Sequence, residues 1–274
     1  MAPESHLPPI LCVAQVKAFS MRDDPVASWE WGRGVHDSDL DTVWPPIAAL
    51  IFDMDGLLVD SEPASEAALR QFLQAHGHEL SLDTVTGALG RRLPEAIAVV
   101  AEVYALPGAL DELVAVFDAL RLEALRGAIV AMPGASAVLD WAAANGIPCA
   151  LATSSFRHQA EVALAEAGLA GRFDVEVTGD EVERGKPEPD LFLLAARRLG
   201  VAPEACVVFE DAPAGLEAAA RAGMRRIWVP NAHTWQLTPT VSVDATLESL
   251  AQAAGWLASR GAGQTATTAI PAEG

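Results

Sequence analysis

The chain has 274 residues, 51% of them hydrophobic, enough for one large α/β domain or for a core domain carrying a smaller insertion. Lys and Arg number 18 against 37 Asp and Glu, a net charge of -19, which argues against an electrostatic grip on nucleic acid or on an anionic membrane surface. Three cysteines, Cys12, Cys149 and Cys206, lie far apart without CxxC spacing, which argues against a zinc ribbon or a disulfide scaffold.

Residues 1–46 are punctuated by Pro3, Pro8, Pro9, Pro25, Pro45 and Pro46, and no helical or strand period persists there. They read as a poorly ordered extension. Its apolar run from Pro8 to Val16 lacks preceding basic residues and a cleavage pattern, so it is a poor secretory signal. The stretch "HDSDLD", with Asp37, Asp39 and Asp41, begins like a calcium loop. It fails at Thr42 and Ala48, where that loop needs Gly and Glu.

From Ala48 the pattern becomes regular. "AALIFD", "IPCALATS", "ACVVFED" and "RRIWVP" are short apolar runs with the length of buried parallel strands. Helical runs alternate with them: one opens at Pro133 and stops at Gly146, and others stop at Gly168, Gly200 and Gly223. Strand, helix and Gly in repetition predict an α/β fold with a doubly wound parallel sheet. Residues 63–132 break the alternation with helical runs only and read as an inserted α-helical cap domain. The expected division is thus an extension at 1–46, a catalytic core at 47–62 and 133–260, a cap at 63–132 and a flexible tail at 261–274.

The polar residues that end the strands share one edge of such a sheet. Asp53 and Asp55 follow the first strand, Thr153 and Ser154 another, and Glu210 and Asp211 a third, while Lys186 lies in the loop "RGKPEPD". A pair of carboxylates about 4 Å apart costs roughly 4 kcal/mol at an effective dielectric near 20, which a divalent cation would offset. Hard oxygen ligands without His or thiolate select Mg²⁺ over zinc. Lys186, the Thr153 hydroxyl and backbone N–H groups would suit a phosphoryl group. "GDEVERGKP" is no Walker A loop, because five residues separate Gly179 from Gly185 and Pro187 stands where Ser or Thr would hold magnesium.

"DMDGLLVDSE", "LATSS", "GKPEPD" and "VVFEDAPAG", in this order and spacing, resemble the four motifs of the haloacid dehalogenase (HAD) superfamily, most of all its sugar-phosphatase and β-phosphoglucomutase-like branch with a helical cap. The likeness covers roughly residues 48–250. It implies that Asp53 is a nucleophile forming an aspartyl-phosphate, and that Asp55 is first general acid and then general base. It implies Mg²⁺ held by the Asp53 carboxylate, the Asp55 main-chain carbonyl and Asp211, with Glu210 direct or through water. Thr153, the Ser154 main chain and Lys186 would then bind phosphoryl oxygens.

Dehalogenases of this superfamily lack the second acid, so Asp55 implies an alcohol leaving group and phosphoryl transfer. The expected function is a Mg²⁺-dependent phosphatase of small phosphorylated metabolites, a sugar phosphate or a nucleoside-monophosphate-like compound. "LATSS" and "FEDAPAG" are particularly like pseudouridine 5'-phosphate enzymes. The alternative is a β-phosphoglucomutase-like mutase, weakened because those enzymes carry a histidine where this chain has Ser65. A phospho-acceptor signalling domain fits less well, since its acidic pair precedes the acceptor Asp; an inactive HAD-like binding protein conflicts with the intact motif acids. Arg91 and Arg92, in a cap loop, are candidates to reach a substrate carboxylate, hydroxyl or second phosphate. Asp60 and Glu62 read as turn and helix-cap residues. The expected partner is a small phosphorylated substrate, with no nucleic acid and no membrane. The expected state is a monomer or weak homodimer in a reducing cytoplasm.

Overall fold

The computed structural model describes residues 46–81 and 90–262. The expected extension through Pro45, with its acidic stretch and Cys12, and the tail from residue 263 lie outside the described residues. No described helix is long and apolar enough to cross a membrane.

The described strands are β1 (Ala49–Phe52), β2 (Cys149–Ala152), β3 (Val175–Val177), β4 (Cys206–Glu210), β5 (Arg225–Trp228) and β6 (Ala245–Thr246). They form a six-stranded sheet in the order β3-β2-β1-β4-β5-β6, and every described pairing is parallel. Four of these are the apolar runs read from sequence. Strands β3 and β6 were not anticipated: β3 has three residues with a central Glu176, β6 only two, and neither is an apolar run.

The helices are α1 (Glu62–Ala75), α2 (Leu93–Tyr104), α3 (Leu110–Leu125), α4 (Ala135–Ala144), α5 (Arg157–Glu166), α6 (Asp190–Leu199), α7 (Pro213–Arg221) and α8 (Ala253–Ser259). Because strand side chains alternate between faces, β1 and its neighbours feed two cores. Leu50, Phe52, Cys149, Leu151, Val207 and Phe209 pack with α4, α5 and α8. Ala49, Ile51, Ala150, Ala152, Cys206 and Val208 pack with α6 and α7. All are buried, as a parallel sheet covered on both faces requires. The Phe52 and Phe209 rings stack at 5.0 Å and lock the two central strands side by side.

Helices α1, α2 and α3 form a third cluster of their own. Ala68, Leu69, Phe72 and Leu73 on α1 meet Leu93, Ile97 and Val100 on α2 and Leu113 and Phe117 on α3. The spacings of three and four residues put each set on one helix face. The chain enters and leaves this insert through adjacent segments: the Asp60 N–H donates to the Val130 carbonyl and the Met132 N–H to the Leu58 carbonyl, both at 2.9 Å. Val59 and Ala131 form an antiparallel bridge between them.

Candidate active site

Register decides what meets at the carboxyl edge of the sheet. Phe52 on β1 stands level with Leu151 on β2 and with Phe209 on β4, so the residues just beyond these strands arrive side by side. The Asp53 N–H donates to the Phe209 carbonyl at 3.1 Å and the Thr153 N–H to the Val177 carbonyl at 3.0 Å, which holds both at the edge. The structure brings Asp53, Asp55, Thr153, Ser154, Lys186, Glu210 and Asp211 together there, and all but Asp55 are buried.

Lys186 is the cation at the centre. Its Nζ donates to Asp53 Oδ1 at 2.5 Å and to Glu210 Oε1 at 2.6 Å. Burial alone would lower its pKa, but the Asp53 and Glu210 charges outweigh that and raise it. Ligand oxygens of Asp53, Glu210 and Asp211 lie within 4.8 Å of one another. Burial, together with repulsion from Glu210 and Asp55, raises the Asp53 pKa against the pull of Lys186. Burial, then Glu210 and Asp53, raise Asp211 well above the ordinary carboxylate range. Three buried carboxylates facing one ammonium leave an uncompensated negative centre of oxygen donors, which fits a hard divalent cation such as Mg²⁺. Glu210 is the most occupied of the three, because Oε1 accepts from Lys186 and Oε2 from the Ala212 N–H at 2.9 Å.

Asp55 sits in a different environment. Its Oδ1 accepts from the Ser61 hydroxyl at 2.5 Å and from Arg121 at 2.9 Å, and its Oδ2 from the Ser155 hydroxyl at 2.5 Å. Burial would push its pKa up, yet the Arg121 guanidinium and the Ser155 and Ser61 hydroxyls hold it below the ordinary value. Two carboxylates two residues apart are thus driven in opposite directions.

Thr153 Oγ1 accepts from the Ser155 N–H at 3.1 Å and faces Asp55 Oδ2 at 3.4 Å. The Ser154 hydroxyl donates to the Gly90 carbonyl of the insert at 2.9 Å. The structure separates the two arginines. Arg91 lines the cavity. Arg92 is turned to the core: it pairs with Glu95 at 2.8 Å and donates to the Val182 carbonyl at 2.6 Å, so its guanidinium fastens the insert to the loop before Lys186 instead of facing a substrate.

The sequence reading missed Arg121, Ser61, Ser155 and Gln159. Arg121 Nη1 donates to the Ser155 hydroxyl at 3.0 Å and to Gln159 Oε1 at 2.6 Å, while its Nε donates to the Ser65 hydroxyl at 3.1 Å. A signal for it existed. Leu113, Phe117, Arg121 and Leu125 recur every four residues and form the buried stripe of α3, so the arginine interrupts an apolar row. Glu62, expected as a helix-cap residue, begins α1 and lines the cavity; burial and then the Asp55 charge raise its pKa. Ser61 is the residue before that helix, but its hydroxyl serves Asp55 and makes no cap bond.

A cavity of about 140 Å³ lies between this edge and the insert. Glu62, Ser65, Arg91, Phe117, Arg121 and His233 are among its walls. That is smaller than the several hundred Å³ typical of a ligand site, so a phosphoryl group fits with little beside it.

This parallel sheet, with an acidic and basic cluster at its carboxyl edge and a helical insert after the first strand, belongs to the haloacid dehalogenase-like hydrolases, whose family pattern matches residues 47–223. Hexitol phosphatase A of Escherichia coli is 40% identical over 207 residues, 74% of this chain and 91% of that protein. The probable pseudouridine-5'-phosphatase of Drosophila melanogaster is 37% identical over 187 residues, 66% of this chain and 80% of that one. Among solved structures, CbbY from Rhodobacter sphaeroides in complex with phosphate superposes with a TM-score of 0.69 at 28% identity, covering 75% of this chain and 96% of CbbY. The chain is an enzyme of this family, a phosphoric monoester hydrolase.

Proposed function

We propose that the enzyme hydrolyses a small sugar or polyol phosphate, or a nucleoside-monophosphate-like compound, through an aspartyl-phosphate on Asp53. The observation that carries this reading is the pairing of Asp53 with Lys186 at 2.5 Å at the carboxyl edge, two residues before an Asp55 held by Arg121, Ser61 and Ser155. The names of relatives that act on hexitol and pseudouridine phosphates support the substrate class.

Asp53 attacks phosphorus and the bond to the leaving oxygen breaks. Asp55 supplies the proton that this oxygen needs to depart as an alcohol. In the second half Asp55 takes a proton from water, the water oxygen bonds to phosphorus, and the Asp53–phosphate bond breaks to release inorganic phosphate. Lys186, Thr153 Oγ1 and the Ser154 main chain hold the phosphoryl oxygens. Ser61, Ser155 and Arg121 stabilise the ionised form of Asp55, the form left once it has protonated the leaving oxygen and the one that then takes the proton from water. Asp53, the Asp55 carbonyl and Asp211 would hold Mg²⁺, with Glu210, which also braces Lys186, joining directly or through water; when bound, the cation supplies positive charge that offsets the negative charge on the transferring group. Helices α1–α3 act as the cap, and the buried free thiols Cys149 and Cys206 are consistent with a reducing cytoplasm.

Release of inorganic phosphate from hexitol phosphates, hexose phosphates and pseudouridine 5'-phosphate tests this directly. Turnover is expected to fall by about a thousand-fold or more in Asp53→Asn and to vanish on chelation of Mg²⁺. Unchanged rates in either experiment would sink the reading, and conversion of β-glucose 1-phosphate to glucose 6-phosphate without free phosphate would favour the mutase.

A further inference from the structure

The loop after β5 reaches the acidic cluster through one side chain to which neither the motifs nor the reaction assign a role. Asn231 lies three residues beyond Trp228, and its Nδ2 donates to Asp211 Oδ2 at 2.8 Å and to the Gly56 carbonyl at 3.0 Å. Both amide protons are therefore used. The orientation of the amide is dictated from its other end, because Oδ1 accepts from the backbone N–H groups of His233 at 2.8 Å and Thr234 at 3.1 Å. A flipped amide would set its N–H groups against those donors. The turn itself is closed by the Asn231 N–H donating to Thr234 Oγ1 at 3.0 Å, and Thr234 is 1% exposed.

The arrangement leaves no slack around Asp211. Gly56 has φ +77, and a Cβ there would lie 2.5 Å from Asn231 Nδ2 and 2.8 Å from Asp211 Oδ2. At the other end of the residue, the Asp211 carbonyl accepts from Trp228 Nε1 at 2.9 Å. One carboxylate is thus held from β5 and its loop at both its main chain and its side chain. Oδ2 faces a neutral donor, and Asp211 still offers a carboxylate oxygen to the cluster with Asp53 and Glu210.

We propose that Asn231 is a positioning residue for the divalent cation: by occupying Asp211 Oδ2 and tying it to Gly56, it presets Asp211 as a one-oxygen ligand and sets the affinity of the site. This inference rests on the reading of Asp53 and Asp211 as cation ligands. Partners that orient metal-ligating carboxylates typically change metal affinity by about 10–100-fold when removed. Asn231 acts on binding of the cation and leaves the reacting groups in place.

Calorimetric titration of the substrate-free protein with Mg²⁺ tests both layers. Wild type is expected to bind and Asp211→Asn to lose binding; failure of wild type to bind would overturn the cation reading itself. Asn231→Leu is expected to weaken Mg²⁺ binding by about 10–100-fold, with turnover recovered at high Mg²⁺ and KM for substrate little changed. An affinity within about twofold of wild type, in a site that binds Mg²⁺, would overturn the role of Asn231 alone. Should Asn231→Leu fail to fold, the side-chain amide resonance of Asn231 in wild-type protein decides: it is expected to shift on addition of Mg²⁺, and an unmoved resonance overturns the proposal.

Discussion

At the scale of single residues, the acids of "DMDGLLVDSE" differ by what faces them. Asp53 faces Lys186 amid carboxylates, whereas Asp55 faces Arg121 and three hydroxyl-bearing side chains. Removing one partner of a buried ion pair costs about 3–5 kcal/mol, and Asp55 keeps 20% of its side chain exposed, so Arg121→Met is expected to lose about 3 kcal/mol at pH 7. The pH dependence follows from the direction of the shift. A carboxylate depressed below its ordinary value of 3.8 contributes stability above that pH and loses it as pH falls through the folded value. Denaturant curves of wild type and Arg121→Met should therefore differ most near neutrality and converge in acid. A gap that persisted undiminished below pH 3 would assign the loss to packing and not to the ion pair.

At the scale of elements, α7 shows how a site constraint overrides helix propensity. Gly215 sits inside this helix, where Ala is favoured by about 1 kcal/mol. A Cβ at Gly215 would lie 1.7 Å from Glu210 Oε1, the oxygen that accepts from Lys186. Displacing Glu210 breaks a buried pair worth more than the helix gains, so Gly215→Ala is expected to destabilise by about 2 kcal/mol and to reduce turnover. Equal or higher stability by thermal unfolding would show that α7 yields more readily than its neighbours suggest. The glycine of "EDAPAG" is thus there for its missing side chain, not for a turn.

Across the whole molecule, the insert has its own apolar cluster and is tied to the core's polar edge by polar contacts, beside apolar ones at Phe156 and at its roots, Ala64 and Leu125. Arg121 reaches Asp55, Ser155 and Gln159; Asp118 accepts from Gln159 Nε2 at 2.6 Å and lies 2.9 Å from His158 Nε2; Ser154 and Arg92 add two further ties. Gln159, fully buried, is bonded to both Arg121 and Asp118. A cavity of about 140 Å³ requires this interface to open if a sugar phosphate is to enter. Gln159→Leu is expected to speed amide exchange in α1–α3 about tenfold while β1 and β4 stay protected. Exchange that rises equally in insert and sheet would mean that the two open as one unit.

Strands β1, β2 and β4 were legible because burial on both faces demands an apolar run, β5 by its apolar Ile227 and Trp228 although two arginines open it, and the helices between them because Pro and Gly mark their ends. The edge strands β3 and β6 were not, since an edge needs no such run. The motif residues were legible for a local reason: a strand end delivers its next side chains to the carboxyl edge whatever the rest of the chain does. Ser61, Gln159 and Asn231 were decided by the tertiary structure alone, and for Arg121 the broken apolar row singled out the residue while its partners came only from the fold. Arg121 stands 66 residues from Asp55, and Asn231 20 from Asp211 and 175 from Gly56. No local pattern encodes such meetings; they exist because the insert folds back over the edge and because β5 lies beside β4 in the sheet.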